Sequence, residues 1–157
     1  MKALTHGRFR GLDGHAARFD LAAGPDAPAL ASLRVAILEA DIGRVTLERP
    51  EGTRLDRGWA IAPNRVEPPF EGRPRASEEG FAIPPATVSE ADGRVTLTAG
   101  GLRAEIRLAP FGIAWYRDGE TVPFLRDRPT QAYYLSRRTG ALAHSMERHE
   151  GERHYGL

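Results

Sequence analysis

The sequence predicts an all-β protein, an antiparallel β-sandwich, and three observations carry that prediction. Short apolar-alternating runs recur about every ten residues and are punctuated by Gly, Pro and Asp turns, while no stretch shows a helical period. The run from Arg94 to Phe124 reads as two consecutive hairpins joined at a proline corner, with one apolar face throughout. The two turns of that run independently place the same kind of residue on the same side, and this agreement is worth more than either turn alone.

The first of these hairpins turns at Gly100-Gly101, where glycine tolerates the positive φ of the tight primed turns. A two-residue turn there sets Leu97 opposite Ala104 and Val95 opposite Ile106. Leu102 and Leu108 continue that face, and Arg103, Glu105 and Arg107 take the other. The second hairpin turns at Asp118-Gly119, which sets Trp115 opposite Val122 and Ile113 opposite Phe124, all facing inward. Arg117 then faces Glu120 as a cross-strand charge pair, and Pro123, which cannot donate to a ladder, belongs on an edge.

Taken in order, the chain opens with a strand pair, His6–Leu12 and Ala16–Leu21, turning at Asp13-Gly14 with Phe9, Phe19 and Leu21 as its core residues. A turn-rich connection over residues 24–31 contains Pro25 and Pro28. Leu33–Leu38 follows, with Leu33, Val35 and Ile37 inward, and a turn at Asp41–Gly43 leads to Arg44–Glu48 with Val45 and Leu47 inward. Residues 62–86 carry half of the 12 prolines and read as a surface excursion. Short strands around Trp59 and Ile61, and around Phe81 and Ile83, are expected to flank it. The phrase Glu39–Leu47 resembles Glu90–Leu97, but the likeness stops there and is common turn-strand grammar rather than a repeat. Beyond the central hairpins, Thr130–Arg137 and Ala141–His149 read as two further strands turning at Thr139-Gly140. Tyr133 and Tyr134 occupy both faces, as in a strand buried on two sides or one whose outer face meets another domain.

Composition excludes several chemistries. At 157 residues the chain suits one domain with a sizeable core. It has no cysteine, hence no disulfide, zinc-thiolate site or thiol nucleophile. The 22 basic and 21 acidic residues leave a net charge of +1, and with Lys2 as the only lysine there is no global field to gather nucleic acid. The N-terminus lacks a signal-type apolar region and no apolar run spans a bilayer, so a soluble cytoplasmic domain, with no membrane partner, is expected.

No constellation in the sequence spells out a reaction. His144, His149 and His154 alternate with Glu147, Glu150 and Glu152, but strand positions five apart point to opposite faces, which favours a solvated strand end over a metal site. A glycosidase needs two carboxylates ~5–9.5 Å apart, and no acidic pair here has an apolar setting that would raise one pKa. There is no G-x-S-x-G elbow and no glycine-rich phosphate loop. Arg137-Arg138, near Arg126 and Arg128, reads as a solvated turn more readily than as an anion site. Of the two tryptophans, Trp115 falls on the core face, and Trp59 is equally open to burial and to sugar stacking. No catalytic residue, metal ligand or cofactor site is assigned.

Function enters through a resemblance. Residues 149–157, HEGERHYGL, resemble the start of the E-x-x-[FY]-G-L-G-E segment of glycoside hydrolase family 31, the α-glucosidases and α-xylosidases, with Glu152, Tyr155, Gly156 and Leu157 on the pattern. The stretch from Arg34-Val35 to Arg44-Val45 is similar to the family's first strand pair. Thr98, Leu102, Ile106, Pro110 and Phe111 are similar to its hairpin block, and His144 stands where members often carry a histidine. The resemblance spans most of residues 33–157. It implies a galactose-mutarotase-like N-terminal β-sandwich, here an incomplete portion of one, and 1–157 as a single domain. A (β/α)₈ barrel downstream on the same polypeptide would carry an aspartate nucleophile and an aspartate acid/base for a retaining mechanism on oligosaccharide substrates. No catalytic or subsite residue carries over to this chain. An incomplete sandwich is expected to leave apolar surface uncovered and to self-associate. The alternative is a free-standing carbohydrate-binding or aldose-epimerase-like sandwich, the latter needing a histidine and a carboxylate that converge.

Overall fold

A computed structural model describes residues 1–48, 56–59, 62–136 and 138–147. Among these the chain is all-β, with antiparallel pairing throughout and a single 3-10 turn at Pro63–Arg65. The strands are β1 (Lys2–Ala3), β2 (His6–Asp13), β3 (Ala16–Ala22), β4 (Ala29–Glu39), β5 (Ile42–Glu48), β6 (Ala86–Ala91), β7 (Arg94–Ala99), β8 (Leu102–Leu108), β9 (Phe111–Arg117), β10 (Leu125–Arg126), β11 (Tyr133–Leu135) and β12 (Leu142–His144). They form a four-stranded sheet in the order β2-β3-β4-β5, a five-stranded sheet in the order β10-β9-β8-β7-β6, and a small sheet in the order β1-β11-β12.

The core lies between the two larger sheets. Phe19, Leu21, Leu33, Val35 and Ile37 from one sheet meet Val95, Leu97, Ile106, Phe111 and Ile113 from the other. All ten are buried, as strict alternation in strands with one apolar face requires. Leu4 and Tyr133 close the end beneath the small sheet, and a row of aromatic contacts runs Phe9–Phe19–Phe111–Tyr133 through the middle.

Turn geometry explains which registers match the sequence. Leu97 pairs with Ala104 and Val95 with Ile106, as expected, across a turn in which Gly100 alone of its pair has positive φ. The β6–β7 hairpin, not foreseen from the sequence, turns at Asp92-Gly93 with φ +49° and +70°, the primed geometry that matches strand twist. At Asp118-Gly119 only the second residue has positive φ, so the twist of a two-residue hairpin is not available there. The chain instead closes a local turn from Glu120 N–H to the Arg117 carbonyl and returns late, so that Trp115 pairs with Leu125 rather than Val122. Val122 (71% exposed) and Phe124 (39%) are therefore not core, while Ile113 and Trp115 are. Arg117 lies over the Phe124 ring at 5.3 Å instead of facing Glu120.

Smaller corrections follow the same pattern. The first turn is Gly14-His15 and the third is Ala40-Asp41, each displaced slightly from expectation. Val45 is 38% exposed because β5 is an edge strand and its core face overhangs an open groove. The last two strands are short, Tyr133–Leu135 and Leu142–His144; they pair with each other, and the first also with β1, rather than extending a large sheet. Trp59, Phe81 and Ile83 lie outside any strand, and Ile61 is outside the described residues.

The proline-rich segment is more than an excursion through solvent. It folds back over the outer face of the four-stranded sheet, where Phe81 packs on Ala16, Ala36, Leu38 and Ile42 in a second small core. That is why β4 buries consecutive residues, Ile37 toward the main core and Leu38 toward the segment. An isolated bridge, Gly58 to Arg73, and a hydrogen bond from the Asn64 amide to Glu39 Oε1 (2.9 Å) hold its beginning in place.

Candidate functional site

Among the described residues, two places combine exposed apolar surface with polar groups. The first is an open groove of about 410 Å³ between the β5 edge and the β9–β10 side of the sandwich. Ile42, Val45, Trp115, Phe124 and Met146 form its apolar walls. Trp115 is pressed so closely onto the bare backbone of Gly43 that a Cβ there would stand 2.6 Å from two ring atoms. At the polar end of the groove, Asp127 sits almost fully buried.

The Asp127 carboxylate is already committed. Its Oδ2 accepts from the Ile113 amide at 2.8 Å, and its Oδ1 lies 2.6 Å from His144 Nε2. The Asp127 amide donates in turn to the Ile113 carbonyl, so the residue ties the return strand and β12 to β9. The His144 ring stacks on Tyr133 at 4.5 Å. The Tyr133 hydroxyl is buried beside this carboxylate. Burial first, and then the Asp127 charge, push its pKa well above the ordinary phenol value. A histidine and a carboxylate thus do converge, and no local spacing anticipates it, since the two lie 17 positions apart. Both carboxylate oxygens are engaged in bracing strands, which leaves the pair a structural clasp.

The second place is Trp59, which is 47% exposed. Its Nε1–H donates to the Phe70 carbonyl at 3.0 Å, and the ring lies against Gly72, where a Cβ would come within 2.7 Å. The indole is held flat against the proline-rich segment with part of its surface open to solvent. Its contacts lie within the proline-rich segment whereas Trp115 lines the groove, so the two tryptophans belong to different sites.

The other sequence candidates resolve as follows. Glu152, Tyr155, Gly156, Leu157, His149, His154 and Arg137 lie outside the described residues. Among the described residues no group of three metal-binding side chains is assembled. Arg126 pairs with Glu147 instead of joining an anion site. No helix among the described residues is long and apolar enough to cross a membrane.

A family model, the glycosyl hydrolase 31 N-terminal galactose mutarotase-like domain, matches residues 32–157. The chain belongs to that family. The match begins inside β4 and takes in β5, the whole five-stranded sheet and the small sheet's last two strands, so it rests on the sandwich itself. No curated protein gives a match to the chain. As a glycosyl hydrolase 31 N-terminal domain it is a non-catalytic, glycosidase-related module.

Proposed function

We propose that this domain braces the catalytic domain of a retaining α-glycosidase that cleaves terminal α-glucosidic or α-xylosidic bonds. The family match over residues 32–157 carries the reading. The bond-breaking carboxylates would stand on the catalytic domain of the same polypeptide, attacking the anomeric carbon and passing through a covalent glycosyl-enzyme. The apolar rim of the groove, Val45, Phe124 and Met146, is the surface through which the sandwich would meet the rest of that polypeptide. By itself the domain is expected to self-associate through this rim, and a monodisperse monomer at high concentration in light scattering would count against that role.

A second reading, carbohydrate binding by the domain itself, is favoured by one observation. Trp59 presents a rigidly held, half-exposed indole, the kind of flat face that packs on a pyranose. Titration with maltose and with a xylose-terminated oligosaccharide, followed by tryptophan fluorescence, separates the two. Bracing alone predicts no saturable change. Saturable binding that Trp59→Ala abolishes would establish the second reading.

A further inference from the structure

The proline-rich segment is fastened to the outer face of the four-stranded sheet by one carboxylate oxygen. Glu78 Oε1 accepts from Arg34 Nη1 at 2.5 Å and Arg44 Nη2 at 2.9 Å, and His15 Nε2 lies 3.3 Å away. Arg34 comes from β4, Arg44 from β5 and His15 from the β2–β3 turn, so three elements of the sheet converge on one residue of the segment. Arg44 also donates to the Ser77 carbonyl at 2.9 Å.

The donors gathered here outnumber the hydrogen bonds that Glu78 Oε1 accepts. Arg34 Nε and Arg44 Nε are each buried without a hydrogen-bond partner, and His15 Nε2 has only its 3.3 Å approach to Glu78. Two guanidinium charges face one carboxylate charge, and Arg73 adds its field from within the segment. Unsatisfied buried donors beside an excess of positive charge suit an acceptor with more oxygens than the two of a carboxylate. A tetrahedral oxyanion has them, and arginine forks suit it.

We propose that Arg34, Arg44 and His15 form a phosphate-type oxyanion site which Glu78 fills in this structure, so that anion binding and closure of the segment exclude one another. The consequence reaches Trp59. From Glu78 the segment runs back through Arg73, which donates to the Ser77 hydroxyl (3.4 Å) and the Glu79 carbonyl and lies over Phe81. Arg73 bridges Gly58, and Gly72 underlies the Trp59 ring. An oxyanion that displaces Glu78 therefore loosens the bed on which the indole rests.

The test titrates the intact protein with inorganic phosphate and, separately, with glucose 1-phosphate. Trp59 is read by acrylamide quenching and the segment by tryptic cleavage after Arg75, since Arg73 precedes a proline and trypsin does not cut there. Phosphate should raise both in the wild type, while chloride at matched ionic strength should not. Glu78→Gln should bind phosphate about tenfold more tightly or better, because the closed fraction no longer reduces apparent affinity. Glu79→Gln makes the same charge change one residue away and should leave the affinity unaltered, and Arg44→Gln should abolish binding. Equal affinity for the two probes would assign a free oxyanion, and tighter glucose 1-phosphate a phosphate ester; either supports the site. The proposal is overturned if Glu78→Gln binds phosphate no better than wild type, or if chloride reproduces the wild-type response. The wild-type measurements decide the matter even should a variant fail to fold. They are also independent of sugar binding at Trp59.

Discussion

Gly7 and Phe111 offer a quantitative test of how tightly the two sheets are joined. Phe111 is fully buried, and its amide donates to the Thr5 carbonyl at 2.8 Å, which fixes the backbone. Its ring is boxed by Phe19 at 5.7 Å and Tyr133 at 5.4 Å, both in edge-on contact. A Cβ on Gly7 would stand 2.6 Å from Phe111 Cε2 and closer still to Cδ2. Gly7 does not have a positive φ, so any cost of Gly7→Ala comes from the collision and none from the backbone. Overpacking of this kind costs about 1–3 kcal/mol. Reduced freedom of the unfolded chain returns about 0.4–1 kcal/mol. The net loss should be roughly 1–2 kcal/mol, a drop in Tm of about 2–8 °C for a chain of this size. Phe111→Ala alone should cost about 3–5 kcal/mol. In that background the vacated space accepts the new methyl, and Gly7→Ala should become neutral or stabilising by up to ~1 kcal/mol. Urea unfolding of all four proteins, with m unchanged, measures the cycle. Additivity within about 0.5 kcal/mol would refute the reasoning, because it would mean that the two sites do not touch.

Three further outcomes are expected. Gly43→Ala drives a Cβ into Trp115 as Gly7→Ala does into Phe111, but that ring borders the open groove and has room to yield. Its cost should fall near the low end of about 1–3 kcal/mol, with a shift in Trp115 emission that reports the displacement. Burial would raise the Glu78 carboxyl, but the Arg34 hydrogen bond and the charges of Arg34, His15 and Arg44 outweigh it and hold the group below its ordinary value. The fastening is then complete above the unfolded carboxylate pKa of about 4.3 and is lost as pH falls through the lower folded value. Tryptophan quenching against pH should show this step in wild type and not in Glu78→Gln. Tyr133 is shifted the other way, well above the ordinary phenol value, so stability should fall as pH rises past about 10, where the unfolded chain ionises first. Tyr133→Phe should remove that alkaline loss.

How much was legible in the sequence depended on which interactions are local. The inward residues of β3, β4, β7 and β8 follow from alternation plus turn position, and Phe19, Leu33, Val35, Leu97 and Ile106 are all buried as expected. The hairpin at Asp118-Gly119 was misread because the dipeptide fits two turn families, and the sign of one φ decides between them. Val45 was misread because alternation tells which face a residue takes but not whether anything covers it. The clasp at Asp127 and His144, and the gathering of Arg34, Arg44 and His15 around Glu78, join residues far apart in the chain. No spacing rule reaches across a sandwich to such pairs. A charged residue facing outward in the middle of each of two neighbouring strands, Arg34 and Arg44, was the one available hint that something acidic would lie over that face.

The stacking of His144 on Tyr133, at 4.5 Å and 18° between planes, provides a gauge of the whole interior. Imidazole carbon protons held above a phenol ring lie in its magnetic shielding cone and resonate upfield of a solvated histidine. The phenol is itself wedged against Phe111, which leans on Phe19, so slippage between the layers would move it. A single pair of imidazole signals, followed by NMR during heating or ligand addition, would register such slippage before any loss of secondary structure.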